Sequence, residues 1–345
     1  VYNAVGTVRE SSLLNRKIIK NRHMISKFRI GVLVIILNFF ASVAMIWGQD
    51  NPSLLQMAVP SLNIAPDARG GGMGDMGAAT LPDINSQYWN AAKYAFMGSK
   101  AGVSLSYTPW LRKLVNDVAL VNMTGYYKLG NSDLQAISAS LRYFSLGEVN
   151  IWENIGDVPY GLNPYEMAFD VAYSRKLSES YSMAVTLRYI RSDMGTDQND
   201  ESNAGNAFSA DISGYLEKYV LMGNAEALWS FGFNLSNIGS KISYDGGNTN
   251  QYLPAKLTLG TGLLYPIDDY NQIGVYLDLN KYMVPYAPQK EEGETDADYQ
   301  TRVDDYKSWS SLSGMLKSFT DSPNGLLKEL SLIHISEPTR PRLIS

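Results

Sequence analysis

The feature that most constrains this chain is a series of runs in which apolar and polar residues alternate from Ala101 onward. Successive side chains of a β-strand point to opposite faces, so alternation with a period of two predicts strands. The pattern predicts an all-β protein whose strands have one apolar and one polar face. The clearest runs are AGVSLSYTPW, QAISASLRYF, YEMAFDVAYS, SMAVTLRYIR and LWSFGFNLSN, with further candidates at 117–129, 207–217, 256–265 and 273–280.

The length of these runs bears on whether the sheet faces lipid or water. They span about 8–13 residues, which suits a tilted membrane strand better than a typical globular strand. The second face is mostly Ser, Gly, Asn, Ala and charged residues. A soluble sandwich shows the same alternation and is the alternative. Aromatic residues near strand ends and the hairpin order favour a transmembrane antiparallel β-barrel, whose closure leaves no unpaired edge.

An export signal near the start of the chain supports the same interpretation. Lys27 and Arg29 precede an apolar run at residues 30–46, and Gly48 ends a small-residue site before Gln49. We interpret residues 24–48 as a signal peptide that begins at Met24 and is cleaved. Residues 1–23 are then an upstream extension or non-native sequence. A single membrane anchor is the alternative, although the run is near the lower length limit for a spanning helix.

The composition excludes several kinds of chemistry. The chain has no Cys, and its two histidines, His23 and His334, lie outside the expected mature domain. Disulfides, a Cys nucleophile, a His-based triad and a His metal site are therefore not expected. A Ser–Lys or carboxylate-pair enzyme stays open, but no spacing supports one. The net charge of -5 gives no indication of nucleic-acid binding. We expect no enzyme activity, no cofactor and no nucleic-acid partner.

One glycine pattern resembles a nucleotide-binding motif. Residues 72–77, Gly-Met-Gly-Asp-Met-Gly, formally match G-x-G-x-x-G. A dinucleotide site needs a buried strand before the glycines and a helix after them, so that the pyrophosphate meets free helix amides. Here PDAR precedes the motif, and export would remove the chain from cytosolic nucleotides. We predict that these glycines permit tight turns and close packing.

The remaining segments are predicted as loops, one helix and an unusual tail. The loop at 192–206 carries Asp193, Asp197, Asp200 and Glu201, which are either solvated or a calcium site without EF-hand spacing. Residues 287–307 are acidic and expected to be a solvated loop. Helical spacing of apolar residues predicts a short helix at 308–319, packed on the barrel. Residues 331–345 show no strand alternation and are predicted to be non-native.

Several segments resemble the PorV family of the type IX secretion system, within the FadL-like barrels. They are APDARGGGMGDMGAAT with SQYWNAAKYAF, FNLSNIGSKISYD with YLPAKLTLG, LDLNKYMVPYAP, and KSFTDSPNGLLKEL, in the family's order over about residues 50–330. The resemblance assigns structural or partner-binding roles to the matching residues. These are Pro66, Asp67, Arg69, Gly72, Gly74, Asp75, Gly77, Trp89, Asn90, Asn280, Lys281, Pro285, Ser318, Phe319, Asp321, Pro323 and Gly325.

The resemblance implies an all-β, FadL-like barrel, with about fourteen strands in the full family, in the outer membrane of a Bacteroidota-type bacterium. Residues 49–100 would be a leader and a plug or hatch, and residues 101–330 the barrel domain. Two departures are visible. Asn324 stands where the family more usually has Gly, and only about nine or ten strands precede the tail. The C-terminal strands are therefore predicted to be missing.

The resemblance also implies a function. Family members bind cargo that carries a C-terminal secretion domain and shuttle it from the translocon barrel to the sortase or attachment complex at the cell surface. Implied partners are these two assemblies, the cargo and outer-membrane lipid. The alternatives are a FadL-type transporter of hydrophobic small molecules and an outer-membrane lipid deacylase, which the lack of a usable His makes weakest. Loops 144–164, 192–206 and 240–253 are candidate recognition surfaces.

Overall fold

A computed structural model describes residues 55–110, 117–130, 133–151, 160–195, 204–223, 225–247, 249–290, 293–320 and 331–339. At 151, 160 and 331–339 it describes the backbone alone. The predicted upstream extension and signal peptide, at 1–48, lie outside these residues. So do three residues of the last family motif, Asp321, Pro323 and Gly325.

The chain forms a β-protein, as the alternation predicts. In chain order the strands are β1 (Ala101–Pro109), β2 (Val118–Leu129), β3 (Gln135–Leu146), β4 (Val149–Ile151), β5 (Tyr160–Leu162), β6 (Tyr165–Lys176), β7 (Tyr181–Asp193), β8 (Gly205–Met222), β9 (Ala225–Gly239), β10 (Lys256–Pro266), β11 (Gln272–Tyr282) and β12 (Ser331–Thr339). Ten of them make one antiparallel sheet in the order β1-β2-β3-β6-β7-β8-β9-β10-β11-β12, and β4 pairs only with β5. The sheet is open, with β1 and β12 at its edges. Barrel closure therefore stays a prediction from the family.

Three strands, β4, β5 and β12, were not expected from the sequence. The β4–β5 hairpin lies within the connection after β3, and β12 lies in the tail that was predicted to be non-native. Although residues 331–339 show no strand alternation, they pair with β11 from Asn280↔Ser331 to Gln272↔Thr339. The physical reason is that ladder hydrogen bonds join backbone groups, so an available strand edge accepts a partner without side-chain alternation. That the tail is non-native stays a prediction.

The two faces of the sheet differ in a way opposite to that of a soluble protein. On β1, Val103 and Leu105 are 68% and 72% exposed. On the other face, side chains such as Ser140, Arg142 and Asp170 are buried. A polar, buried inner face and an apolar, exposed outer face are typical of strands whose outer surface meets lipid. This arrangement confirms the membrane interpretation over the soluble sandwich.

The inner face is covered by residues 55–97, here called the plug. It contains 3₁₀ turns at Pro60–Asn63 and Ala91–Phe96 and two short helices, α1 (Ala68–Gly72) and α2 (Ser86–Trp89). The second 3₁₀ turn packs its Ala91, Ala92 and Tyr94 against small inner-face residues of the strands. A plug before the first strand is thus confirmed.

Antiparallel strands turn alternately at the two ends of a sheet. In this protein the connections at one end are short and most of those at the other end are long. At one end, the short-turn end, the connections are 130–134, 177–180, 223–224 and 267–271. At the other, the loop end, they are 110–117, 147–164, 194–204, 240–255 and 283–330. In outer-membrane barrels the short turns face the periplasm and the long loops face outward.

The last connection holds two helices, α3 (Asp296–Ser308) and α4 (Ser311–Lys317). The helix predicted at 308–319 corresponds to α4, whose Met315 packs on Ala255 and Met283. The loop prediction for 287–307 is wrong, since α3 occupies most of its second half. The Thr295 side chain caps α3 by accepting a hydrogen bond from the Asp298 backbone N–H. Acidic residues in the first turn interact favourably with the positive end of the helix dipole. None of the helices in the described ranges is long and apolar enough to cross a membrane.

Candidate functional site: the plug on the inner face of the sheet

Trp89 is the centre around which the plug folds. Its indole Nε1 donates to the Asp67 carboxylate at 2.8 Å, and the other Asp67 oxygen accepts from the Gly70 amide at 2.7 Å, which caps α1. A Cβ at Gly70 or Gly77 would lie 2.3 or 2.2 Å from the Trp89 ring system. These two positions therefore need glycine because an aromatic side chain occupies the space beside their backbone.

The G-x-G-x-x-G pattern forms a turn and not a phosphate cradle. Gly74 and Asp75 have φ of 75° and 61°, the left-handed conformation, directly after α1. No strand leads into the motif within the described residues 55–72, and the next helix starts only at Ser86. Gly77 packs on Trp89. The predicted roles are confirmed for Gly77, which packs closely on Trp89, and for Gly74, which adopts a turn conformation.

The carboxylate of Asp278 on β11 binds two consecutive amides of the plug. Its Oδ2 accepts from the Gly77 and Ala78 amides at 2.9 and 3.0 Å. Asp278 pairs with Gly260 on β10, and Gly260 pairs with Gly232 on β9. A Cβ on Gly232 would lie 1.9 Å from the Ala78 carbonyl oxygen. This row of two glycines and an aspartate forms the seat of the plug backbone.

Other inner-face side chains also bind the backbone of the plug. Asn234 donates to the Trp89 carbonyl at 3.0 Å, Ser230 to that of Ala79 at 2.7 Å, and Ser182 to that of Ala92 at 2.8 Å. From the plug, Asn90 donates to the carbonyls of Ala78 and Gly214, both at 2.9 Å. The sheet thus fixes the course of the plug through hydrogen bonds that are largely independent of the plug's side-chain identity.

Lys93 is a fully buried cation within the plug. Its Nζ donates to the Gly77 carbonyl at 2.9 Å and to the Thr80 hydroxyl at 3.1 Å, and its side chain is 0% exposed. Burial lowers the pKa of Lys93, because the ammonium loses water; Asp83 and Asp278 act against this in part. Lys93 therefore joins the second 3₁₀ turn to the segment 77–80, which also contacts Asp278.

This buried lysine predicts a pH dependence of stability. The unfolded chain holds its proton up to the ordinary lysine pKa near 10.5, whereas the folded protein releases it at lower pH. Between the two pKa values the unfolded state binds more protons, so the free energy of unfolding should rise with pH. Urea unfolding from pH 7 to 10.5 measures this slope. The increase of the free energy of unfolding with pH should be smaller in Lys93→Met. It should persist in Lys100→Met, because the wild-type Lys100 ammonium lies in an exposed ion pair. An unchanged increase in Lys93→Met would contradict the lowered pKa of Lys93.

A buried charge cluster lies beside the plug on neighbouring strands. The Arg188 guanidinium donates from Nε to Asp170 at 2.7 Å and from NH2 to Asp211 at 2.8 Å, and it also contacts the Asn237 side chain. All four residues are buried. Asp170 and Arg188 are direct partners in the register of β6 and β7, which places both side chains on the polar inner face.

A second arginine contacts the plug directly. Arg142 donates to the Ser61 carbonyl at 2.9 Å, and its guanidinium lies 4.5 Å from the centre of the Tyr88 ring. Glu166 on β6 accepts from the Ser61 amide at 3.1 Å. Both polar groups of the Ser61 backbone are therefore bound by charged side chains of the sheet, and charge-assisted hydrogen bonds of this kind are the stronger ones.

The space left between plug and sheet is small. A cavity of about 20 Å³ is lined by Asp75, Trp89, Arg188, Lys256 and Asn280, among others. Ligand sites for small molecules usually measure about 300–1,000 Å³. This inner cavity accommodates about one water molecule and is too small for a transported small molecule.

The structure brings most of the family-motif residues into two groups. The first is the plug group, which consists of Pro66, Asp67, Arg69, Gly74, Gly77, Trp89 and Asn90. Asp75 and Asn280 line the inner cavity beside this group. Gly72 has no atom near its would-be Cβ, so packing does not require glycine there. The second group joins the last two motifs: Lys281 lies 5.6 Å from the Phe319 ring centre, Pro285 is buried, and Ser318 donates to the Met315 carbonyl.

The sequence analysis did not identify the sheet side of this site, which comprises Asp278, Gly232, Gly260 and Asn234, or the buried Lys93 of the plug. A signal was present for some of them. Glycines in the interior of β9 and β10 indicate close approach of another backbone, and a carboxylate within a strand needs a buried donor. No cluster of three or more His, Asp or Glu side chains in the described ranges is placed to hold a metal. Of the calcium candidates only Asp193 lies within those ranges.

A family model described as type IX secretion system protein PorV matches residues 48–290, more than half of the 345-residue chain. The chain belongs to the PorV family. This PorV-family protein is therefore an outer-membrane component of type IX secretion.

Comparisons with individual proteins add little to the family assignment. No curated protein matches this PorV-family chain. Among solved structures it is similar to OmpT (in-vitro folded), an outer membrane protein of Vibrio cholerae, at 8% identity and a TM-score of 0.34. That similarity covers 71% of this chain and 62% of the other, so the chain spans less than two thirds of that protein's length.

Proposed function

We propose that this protein binds secreted cargo carrying a C-terminal secretion domain and shuttles it from the type IX translocon barrel to the sortase or attachment complex at the cell surface. The observation that carries the proposal is the PorV family match over residues 48–290. The proposal includes export by a cleaved signal peptide at 24–48. It assigns no catalytic role, since the family is one of secretion components.

The geometry of the inner face supports binding rather than conduction. The plug is fixed to β7, β8, β9 and β11 by direct hydrogen bonds, and the cavity beside Trp89 measures about 20 Å³. A FadL-type transporter of hydrophobic small molecules needs an apolar path through the inner face. Here that face holds Arg142, Arg188 and Asp278, which favours a rigid wall around a stationary plug. Recognition then falls to the connections at the loop end.

Isolation of the protein from native outer membranes in mild detergent tests the proposal. We expect cargo with C-terminal secretion domains to co-purify, together with translocon or sortase components. If neither cargo nor secretion components are recovered under conditions that preserve the folded sheet, the proposed function is wrong. Uptake of a hydrophobic molecule by reconstituted vesicles would instead support the transporter alternative.

A further inference from the structure

An apolar groove crosses the outer face of the sheet over β1, β2, β3 and β6, on the side away from the plug. Its volume is about 680 Å³, which falls within the range of about 300–1,000 Å³ that is usual for small-molecule sites. Its outward-facing lining is entirely apolar, from Val103 on β1 to Val171 on β6. We call it the outer groove.

The register of the strands explains why a groove forms at this place. Gly125 on β2 pairs with Val103 on β1 and with Ala139 on β3, and Ala139 in turn pairs with Val171 on β6. These four residues form one row across the outer face. The two smallest side chains lie in the middle of the row, so they form the floor of the outer groove.

Larger side chains form the two walls. Successive residues on one face of a strand are two positions apart, so the rows next to the floor contain Met123 and Leu141 on one side and Tyr127 and Ile137 on the other. All four side chains are exposed and line the outer groove. The two wall rows are about 13 Å apart between Cα atoms. The space between them fits one hydrocarbon chain that lies across the strands.

The glycine in the floor is not required by the packing of the protein itself. A Cβ on Gly125 would have its nearest atoms, the Gly102 oxygen and Val103 Cγ2, at 3.4 and 3.5 Å, which is ordinary contact. Its φ is not positive, unlike that of Gly74 or Gly130. Glycine inside a strand weakens the strand and often marks the close approach of a ligand or of another backbone. The plug lies on the opposite face, so the outer groove leaves this approach to a ligand.

The chemistry of the lining decides between a lipid chain and a protein segment. A strand or loop of a partner protein would bury backbone N–H and C=O groups against side chains such as Met123 and Phe169, which offer no hydrogen bond. A helix is about 10–12 Å wide with its side chains and does not fit between the wall rows. An acyl chain has no polar group to satisfy, and the outer face already meets lipid.

Positive charge borders the apolar surface at the short-turn end. Arg175 lies on the outer face of β6, four residues or about 13 Å from Val171, and its exposed side chain forms no hydrogen bond or ion pair with the residues that the structure describes. At the short-turn ends of β1 to β7, residues 98–100, 128–135 and 175–180 together carry four cations and two carboxylates. An arginine in this position matches a lipid phosphate in charge and in hydrogen-bond geometry.

We propose that the outer groove holds one acyl chain of a phospholipid whose phosphate binds Arg175. The short-turn end faces the periplasm, so the lipid belongs to the periplasmic leaflet of the outer membrane. The acyl chain lies on Gly125 and Ala139, between the two wall rows. This inference concerns the membrane and does not depend on the proposed binding of cargo.

Native mass spectrometry in mild detergent tests the proposal, with phosphatidylglycerol titrated into the purified protein. Gly125→Val and Ala139→Leu fill the floor and should each weaken binding by about tenfold, which corresponds to about two methylene groups displaced from the groove. Arg175→Gln should weaken it by about fivefold. Val275→Leu enlarges a side chain that is 48% exposed on the outer face of β11 and is the control. It should bind like the wild type, and the plug should stay equally resistant to protease in all four variants.

Four results would overturn the proposal. They are a wild type that binds no phospholipid, floor variants that bind phosphatidylglycerol like Val275→Leu, an unchanged affinity in Arg175→Gln, and tighter binding of lipid A than of phosphatidylglycerol. Floor variants that keep the lipid but lose secretion components would make the outer groove a protein interface and overturn it as well. Cargo that co-purifies with floor variants lacking the lipid supports the shuttle function independently, whereas loss of cargo from the wild type contradicts that function alone.

Discussion

Replacing Arg188 with alanine is expected to lower the free energy of unfolding by about 3–5 kcal/mol, which is the usual effect of removing one partner from a buried ion pair. The substitution leaves Asp170 and Asp211 as buried carboxylates without their shared cation, beside a plug that is itself polar. Urea unfolding of the protein in lipid vesicles, followed by tryptophan fluorescence, measures the change.

Two further variants make this result specific. Arg191→Ala removes an arginine of the same strand whose side chain is 37% exposed and paired with Asp193 at 3.7 Å, so a loss below about 1 kcal/mol is expected. Adding Asp170→Asn and Asp211→Asn to Arg188→Ala removes the unpaired charges and should restore part of the stability. An Arg188→Ala loss no larger than that of Arg191→Ala would mean that the cluster does not stabilise the fold.

The second large effect is expected at Gly232, where alanine should displace the plug from its seat. The new Cβ would lie 1.9 Å from the Ala78 carbonyl oxygen, which is a backbone atom and cannot rotate away. Overpacking of this kind typically costs about 1–3 kcal/mol. We expect the Asp278 contacts to Gly77 and Ala78 to break and the plug to become sensitive to protease. Limited proteolysis and urea unfolding measure both effects.

The matched control for this change is Gly125→Ala on β2. Its Cβ would face the outer side, with its nearest atoms, the Gly102 oxygen and Val103 Cγ2, at 3.4 and 3.5 Å, which is ordinary contact. It should leave the plug as resistant to protease as in the wild type. Equal protease sensitivity of the two alanine variants would contradict the seat formed by Gly232, Gly260 and Asp278.

The strands of this protein were predictable because a period of two in side-chain polarity is a local property that no distant contact alters. The runs at Val103–Tyr107 and Ile137–Tyr143 alternate without interruption, and both are strands with the apolar side outward. The helix α3 was not predictable in the same way. Only Tyr299, Val303 and Tyr306 lie at apolar helical spacing in it, and its acidic residues suggested a solvated loop. The cap at Thr295 is the local signal that defines where the helix starts.

The site was only half predictable for a different reason. Trp89 contacts both Asp67 and Gly77, and the three motif residues lie within about twenty positions of one another in the sequence. Their roles therefore follow from local packing. Asp278 meets Gly77 across 201 positions, and which inner-face residue lies beneath the plug depends on the register of the whole sheet. Strand β12 depends in the same way on an available edge of β11 and not on its own pattern.

The central claim is that cargo binds at the loop end of a plugged sheet. Site-specific photo-cross-linking in living cells tests it directly, with the photoreactive residue placed at Asn250 on the loop end or at Tyr270 on the short-turn end. Both positions are exposed, and neither contributes to the plug contacts. The account predicts adducts with secreted cargo from Asn250 and none from Tyr270. Adducts from Tyr270 alone, or no cargo adduct from Asn250 while secretion proceeds, would contradict it.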